Sequence, residues 1–283
     1  MKRTVRQAWT GRLFILPSLL GIGLFFLFPL AGSLSYAFTS GITERKFVPF
    51  QNFADLLHNP TFILAVKNTG IFIGMGVPAL IALSLLVSAA LQNRKYHWVY
   101  GPLLIPLVLP VSSYVLGWQA LLGESGLWNT LFSPETPIRI LEGETARLSL
   151  LLIYIVKNLG YLTILLTSAM TSLPREYREV FRLDSSSEFH YAIRVLIPAI
   201  APMLLFSLVI AVMDALKIFR ELYALYGDYP PQSVYMLQNF MNNNFYKLNY
   251  QRLSTAAFLV VAGLSLLILT LLKLQSRVDA YEE

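Results

Sequence analysis

Seven polar side chains stand in apolar stretches where a membrane helix ordinarily carries none. Tyr154, Lys157, Asn158 and Tyr161 follow one another at i, i+3, i+4 and i+7 within TARLSLLLIYIVKNLGYLTILLTS, the spacing of a single helical face. Asp214, Lys217 and Glu221 stack at i, i+3 and i+7 within APMLLFSLVIAVMDALKIFRELYALY. Ionisable groups at membrane depth are costly and mark solute paths or proton routes. Amide, hydroxyl and ring face together suit a polyhydroxylated solute. A second reading is equally physical: Lys157 and Asp214 form an ion pair that holds two helices together.

Neither stripe supplies the parts of an enzyme. The three histidines, His58, His97 and His190, are far apart in loops, and there is no H-E-x-x-H or G-x-S-x-G. There is no G-x-x-x-x-G-K-[ST] phosphate loop either, so the chain is not expected to hydrolyse ATP. With no cysteine, disulfides and thiolate metal sites are excluded, and no metal site is expected.

The elements that must position these residues follow from composition. The chain of 283 residues is 55% hydrophobic and 13% charged, far below the quarter charged of a typical soluble domain. Six apolar runs reach the roughly 20 residues a bilayer-spanning helix needs: about 12–38, 62–91, 99–121, 147–171, 199–225 and 253–274. The first is too long for a signal-peptide core and is expected to stay as a helix. Pro102, Pro106 and Pro110 are expected to kink or loosen the third. The expected fold is thus an all-α polytopic membrane protein, with the lipid bilayer as its solvent. The net charge of +6 reflects basic loops between the runs rather than a nucleic-acid surface.

Orientation follows from those loops. With the N-terminus inside, cytoplasmic segments hold Lys2, Arg3, Arg6, Arg12, Arg94, Lys95, Arg175, Arg178, Arg182, Arg194, Lys273 and Arg277. The opposite segments hold Arg45, Lys46, Arg139, Arg147, Lys217, Arg220, Lys247 and Arg252. Twelve against eight places both termini in the cytoplasm. The expected organisation is a cytoplasmic N-terminus 1–11, a membrane domain 12–275 and a cytoplasmic tail 276–283. Lys67 and Asn68 then fall near the outer end of the second helix. SVYMLQNFMNNNFYKLNYQ, before the last helix, reads either as a docking surface for an external partner or as an interfacial aromatic belt.

One segment breaks the apolar pattern. In PREYREVFRLDSSSEFHYAIRVLIP, eight of the twenty positions from Arg175 to Arg194 are charged. Pro174 suits a helix start and Ser172 a cap. Tyr177, Val180 and Phe181 share one face, while Arg175 with Glu179 and Glu179 with Arg182 are spaced for ion pairs. Asp184 and the three serines after it interrupt the helix, and Ser185 with Glu188 forms a capping box for a second one. This helix-turn-helix either lies on lipid headgroups or docks into a groove on a cytoplasmic protein. Its acidic residues disfavour the headgroups.

These residues resemble the cytoplasmic coupling loop, the EAA loop, of binding-protein-dependent ABC importer permeases. Glu179 falls on that family's glutamate, Asp184 on its aspartate, and Leu196 and Pro198 on its closing Leu-x-Pro. Val180 and Phe181 replace two small residues, and Ser185 replaces the turn glycine. RLFILPSLLGIGLFFLFPLAGSLSYAFTS, VPFQNFADLLHNPTFILAVKNTG, LPVSSYVLGWQALLGESGLWNTLF and ELYALYGDYPP extend the resemblance, in order, to importers of the maltose, oligosaccharide and glycerol-phosphate type.

The resemblance implies six membrane helices with a coupling loop at 173–198, working by alternating access in a bacterial cytoplasmic membrane. It implies that Tyr177, Glu179, Val180, Phe181, Asp184 and Ser185 couple to an ATPase. It further implies that Tyr154, Lys157, Asn158, Tyr161, Asp214, Lys217 and Ile218 line the path of a sugar. The implied partners are a second homologous permease, two cytoplasmic ATPases that use ATP and Mg, and an extracytoplasmic solute-binding protein. This chain itself is expected to bind no cofactor. An importer for a non-sugar solute is the first alternative. A secondary transporter is the second, although the halves show no internal repeat and a coupling loop would have no purpose there.

Overall fold

The first apolar run forms one long helical track. In the computed structural model, α1 (Val5–Ile22) passes through a single π-helical turn (Gly23–Leu27) into α2 (Phe28–Ser35). The structure describes residues 5–41, 45–92, 98–132, 135, 137–184 and 187–279. A two-residue ladder, β1 (Thr39–Ser40) with β2 (Lys46–Phe47), is antiparallel, and α3 (Gln51–Leu57) follows. Next come α4 (Pro60–Leu91), α5 (Tyr100–Val108), α6 (Val111–Leu122), α7 (Leu127–Phe132) and α8 (Thr145–Thr171). The charged segment contains α9 (Arg175–Asp184) and α10 (Glu188–Tyr191), continued by a π-helical turn (Ala192–Leu196) and α11 (Ile197–Ala199). The chain closes with α12 (Ala201–Lys217), α13 (Phe219–Tyr226), α14 (Leu237–Tyr246) and α15 (Tyr250–Asp279).

Among the described residues, five helical stretches are long and apolar enough to cross a membrane, or six if a bent pair counts as one span. That pair is the third run, and the kink expected among its prolines is there: Tyr100–Val108 and Val111–Phe132 meet at 109°. The cause is Pro110, which drives the preceding residue out of helical geometry: Leu109 is extended at ψ 137°. Pro106, inside α5, does not break it. The fifth run is also divided, between α12 and α13 at Ile218, where neither proline nor glycine gives warning.

The chain forms two compact units. In the first, Met1–Phe62 with Met241–Gly263, the rings of Phe38, Phe53 and Phe258 sit mutually 5.4–5.5 Å apart. Asn52 donates to the carbonyls of Ala37 and Thr39, fixing α3 against the preceding turn. The second unit, Ile63–Phe240 with Leu264–Glu283, holds both candidate sites. Its core joins Phe72, Val77 and Leu80 of α4 to Leu150, Tyr154 and Leu162 of α8 and to Ala211, Val212 and Leu222 of α12 and α13.

The close approach of α5 to α8 depends on a glycine. A Cβ at Gly160 would stand 2.0 Å from the Leu103 carbonyl oxygen, so α5 lies directly on the α8 backbone. Membrane helices pack tightly where small residues let backbones meet.

Candidate functional site

The charged hairpin is fastened by a single carboxylate. Glu188 accepts from Arg178 at 2.8 Å and from Arg182 at 2.9 Å, joining the start of α10 to two successive turns of α9. These hydrogen bonds, that of Arg182 foremost, hold its carboxyl below the usual carboxylate range. Arg182 thus pairs with Glu188 and not with the expected Glu179. Ser187 accepts from the His190 backbone N–H and starts α10. Ser185 lies outside the described residues, as does the side chain of Asp184.

The expected partner-facing trio divides. Tyr177 and Val180 are exposed, whereas Phe181 is half-buried and meets the ring of Tyr191 at 5.6 Å between centroids. Leu183, which the sequence did not single out, is 86% exposed, and Phe189 is 71% exposed. Val180 and Leu183 are three residues apart, so their common face was readable as an i, i+3 pair. Glu179 turns towards a cavity of about 1370 Å³ between the hairpin and the ends of α4 and α8, lined also by Ala89, Thr167, Thr171, Arg178 and Tyr191. If Glu188 is the fastener, Glu188→Gln should raise amide exchange across 176–183 a few-fold at neutral pH. Exchange elsewhere should be unchanged. The size suits two exposed ion pairs, each worth under about 1 kcal/mol.

The membrane stripe divides as well. Tyr154 is fully buried and donates its hydroxyl to the Ala211 carbonyl at 2.7 Å, tying α8 to α12. Asn158 is buried and turns back on its own helix, donating to the Tyr154 carbonyl at 2.8 Å. Both side chains are withdrawn from solvent. Tyr161 is half-buried beside the core, and Ile218 is buried within it.

The charges pair differently from the Lys157–Asp214 expectation. Lys157 contacts Glu221, whose side chain is 1% exposed, and Asp214 takes Lys217 of its own helix at 3.3 Å. Asp214 lies on α12, and Glu221, two turns further along, lies on α13. Lys217 and Arg220, counted above among the outer segments, lie inside the apolar stretch Ala201–Tyr226.

A polar clamp at the far end of α8 was not foreseen. Arg147 donates to the Ser233 carbonyl at 3.0 and 3.1 Å and to Asn68 Oδ1 at 3.2 Å. Asn68 in turn donates to the carbonyls of Gln232 and Tyr235, and Thr69 Oγ1 accepts from the Leu237 N–H. The strap between α13 and α14 is thereby sewn to α4 and α8. Only the placement of Arg147 at the edge of an apolar run hinted at it.

Apolar spans, a paired charge cluster within them and a charged hairpin between α8 and α12 define a multi-pass membrane permease. The chain belongs to the family described as binding-protein-dependent transport system inner membrane component, whose model matches residues 65–279. It is 24% identical over 275 residues to the probable ABC transporter permease protein YesP of Bacillus subtilis (strain 168), covering 92% of this chain and 88% of that one. It is 25% identical over 240 residues to the trehalose/maltose transport system permease protein MalF of Thermococcus litoralis, covering 81% of each. With the lactose transport system permease protein LacF of Rhizobium radiobacter it shares 27% over 222 residues, covering 75% and 74%. Its fold matches a chain of the crystal structure of the bacterial alginate ABC transporter in complex with alginate pentasaccharide-bound periplasmic protein. There the TM-score is 0.81 at 20% identity, over 97% of this chain and 96% of that one.

Proposed function

We propose that this permease forms half of the translocation path of an ATP-driven importer for a sugar or sugar-derived solute. An extracytoplasmic binding protein delivers the solute, and a second homologous permease supplies the other half of the path. Two cytoplasmic ATPases bind and hydrolyse ATP with Mg, and this chain binds no cofactor of its own. The observation that carries the coupling is the hairpin: Tyr177, Val180, Leu183 and Phe189 stand exposed on a helix pair joined through Glu188, as anchors for a helix-in-groove contact do. Relatives named for trehalose/maltose and lactose transport support a carbohydrate as cargo. Lys157, Tyr161, Asp214 and Lys217 are the residues assigned to the path.

Both termini and the hairpin face the cytoplasm in this arrangement. Reporter fusions at Gly143 and Ser186 should therefore read opposite sides of the membrane. The same side for both would refute the topology. The proposal as a whole is tested by co-expressing the chain with its ATPases, second permease and binding protein. Sugar should stimulate ATP hydrolysis by the reconstituted assembly, and inactivating the ATPase should abolish uptake.

A further inference from the structure

The two sides of α9 face opposite ways. Arg178, Glu179 and Arg182 share one side, and all three line the cavity of about 1370 Å³ at the ends of α4 and α8. Tyr177, Val180 and Leu183 lie on the other side and are exposed. The charged side of the helix therefore looks towards the ends of the spans, and the apolar side looks away from them.

The cavity changes character with depth. Ala89, Ala90, Ile164 and Met170 of its wall belong to the last turns of the spans Pro60–Leu91 and Thr145–Thr171, and Ile164 stands about 10 Å before the end of α8. Its rim carries Arg178, Glu179, Arg182 and Glu188. The space thus runs from a charged rim into apolar depth, and it exceeds the about 300–1,000 Å³ of pockets that hold drug-sized ligands. A soluble ion would use the rim alone, whereas an amphiphile uses both parts. Two arginines and two carboxylates leave the rim with no net charge. Arg178 and Arg182 each give one nitrogen to Glu188, and a guanidinium has five N–H donors, so both keep donors for a phosphate. Glu179 has no ion pair among the described residues.

We infer that the cavity seats a phospholipid whose headgroup joins a phosphate to a primary amine, with the phosphate on Arg178 and Arg182, the ammonium on Glu179 and the acyl chains along α4 and α8. A basic pocket at this level suits an anionic lipid, but a neutral rim with an unpaired carboxylate suits a headgroup that brings its own cation. That cation must donate N–H groups to Glu179. A quaternary ammonium has none and relies on aromatic faces, and the Tyr191 ring is already engaged by Arg178 at 5.8 Å and by Phe181 at 5.6 Å. The seated lipid braces the hairpin from the membrane side and leaves its apolar side free. The inference requires a bilayer around the spans and does not depend on the cargo.

The test places the full-length chain in nanodiscs of dioleoyl phosphatidylcholine, alone or with part of it replaced by the phosphatidylethanolamine or phosphatidylglycerol of the same chains, and reads amide exchange across 176–183. Phosphatidylethanolamine should slow exchange there at least about fivefold relative to phosphatidylcholine, and phosphatidylglycerol should not. Glu179→Gln should erase the difference. It leaves the bilayer unaltered, so its effect separates a seated lipid from a change in membrane curvature. Ala90→Leu, which fills the apolar wall and touches no charge, should erase the difference too. Equal exchange in all three bilayers overturns the inference. Equal protection by phosphatidylglycerol overturns it as well, because the rim would then be a general anion site. So does protection that survives both substitutions. Phosphoethanolamine added to phosphatidylcholine nanodiscs should protect nothing; full protection by it would mean a soluble ligand and contradict the lipid.

Discussion

Gly160→Ala should destabilise the solubilised protein severely, lowering its unfolding midpoint by about 5–10 °C. The added methyl carbon would stand 2.0 Å from the Leu103 carbonyl oxygen and 2.5 Å from its carbon. Both are backbone atoms, so no rotamer change relieves the clash and α5 must move off α8. Overpacking of this kind costs about 1–3 kcal/mol or more, and each kcal/mol shifts the midpoint of a chain this size by roughly 2–4 °C. Gly74→Ala is the matched control, because nothing lies within 4 Å of a Cβ at that position. Alanine inside a helix is slightly better than glycine there. Equal midpoints for the two variants, read by fluorescence-detected thermal unfolding, would mean that α5 does not lie on α8 as described.

Breaking the Lys157–Glu221 pair should be comparably damaging. Lys157→Met would leave the Glu221 carboxylate uncompensated in a site where its side chain is 1% exposed. Removing one partner of a buried pair costs about 3–5 kcal/mol, enough to depress expression as well as thermal stability. Glu221→Gln should fall in the same direction, and Lys157→Met with Glu221→Gln should recover most of the loss, because replacing both charges is often neutral. Asp214→Asn should leave assembly nearly intact, since its partner Lys217 is exposed and exposed pairs contribute under about 1 kcal/mol. The cycle is scored on assembly and uptake together. If Asp214→Asn rescues Lys157→Met and Glu221→Gln does not, the pairing is the one the sequence suggested.

That contrast shows what one-dimensional spacing carries. The apolar runs, the polar stripe of α8 and the amphipathic hairpin were all legible, because each depends on residues within a few turns of one another. The choice between Asp214 and Glu221 was not. Both lie on the face that Lys157 can reach, and i, i+7 spacing does not say which of them meets it. Among Pro102, Pro106 and Pro110 only the last turns the chain. The difference is that Leu109 before it goes extended, while Pro106 stays inside a helix. Glu188 is drawn to Arg178 and Arg182, partners six and ten positions back that no capping pattern reports. Gly160 and Arg147 owe their roles to partners at Leu103 and Ser233, 57 and 86 positions away, which local patterns do not report.

The central claim is that the α9–α10 hairpin grips an ATPase and passes its closure to α8 and α12. Its most direct test is co-purification of the ATPase with a chain carrying Val180→Glu and Leu183→Glu, both exposed positions outside the Arg178–Glu188–Arg182 fastening. Truncating one anchor at an interface core costs about 2–4 kcal/mol, and two buried carboxylates in place of apolar contacts cost more. The account predicts a variant that inserts in the membrane at normal levels, unfolds at the unaltered midpoint, and loses both the ATPase and solute uptake. Undiminished ATPase association and uptake in that variant would contradict it.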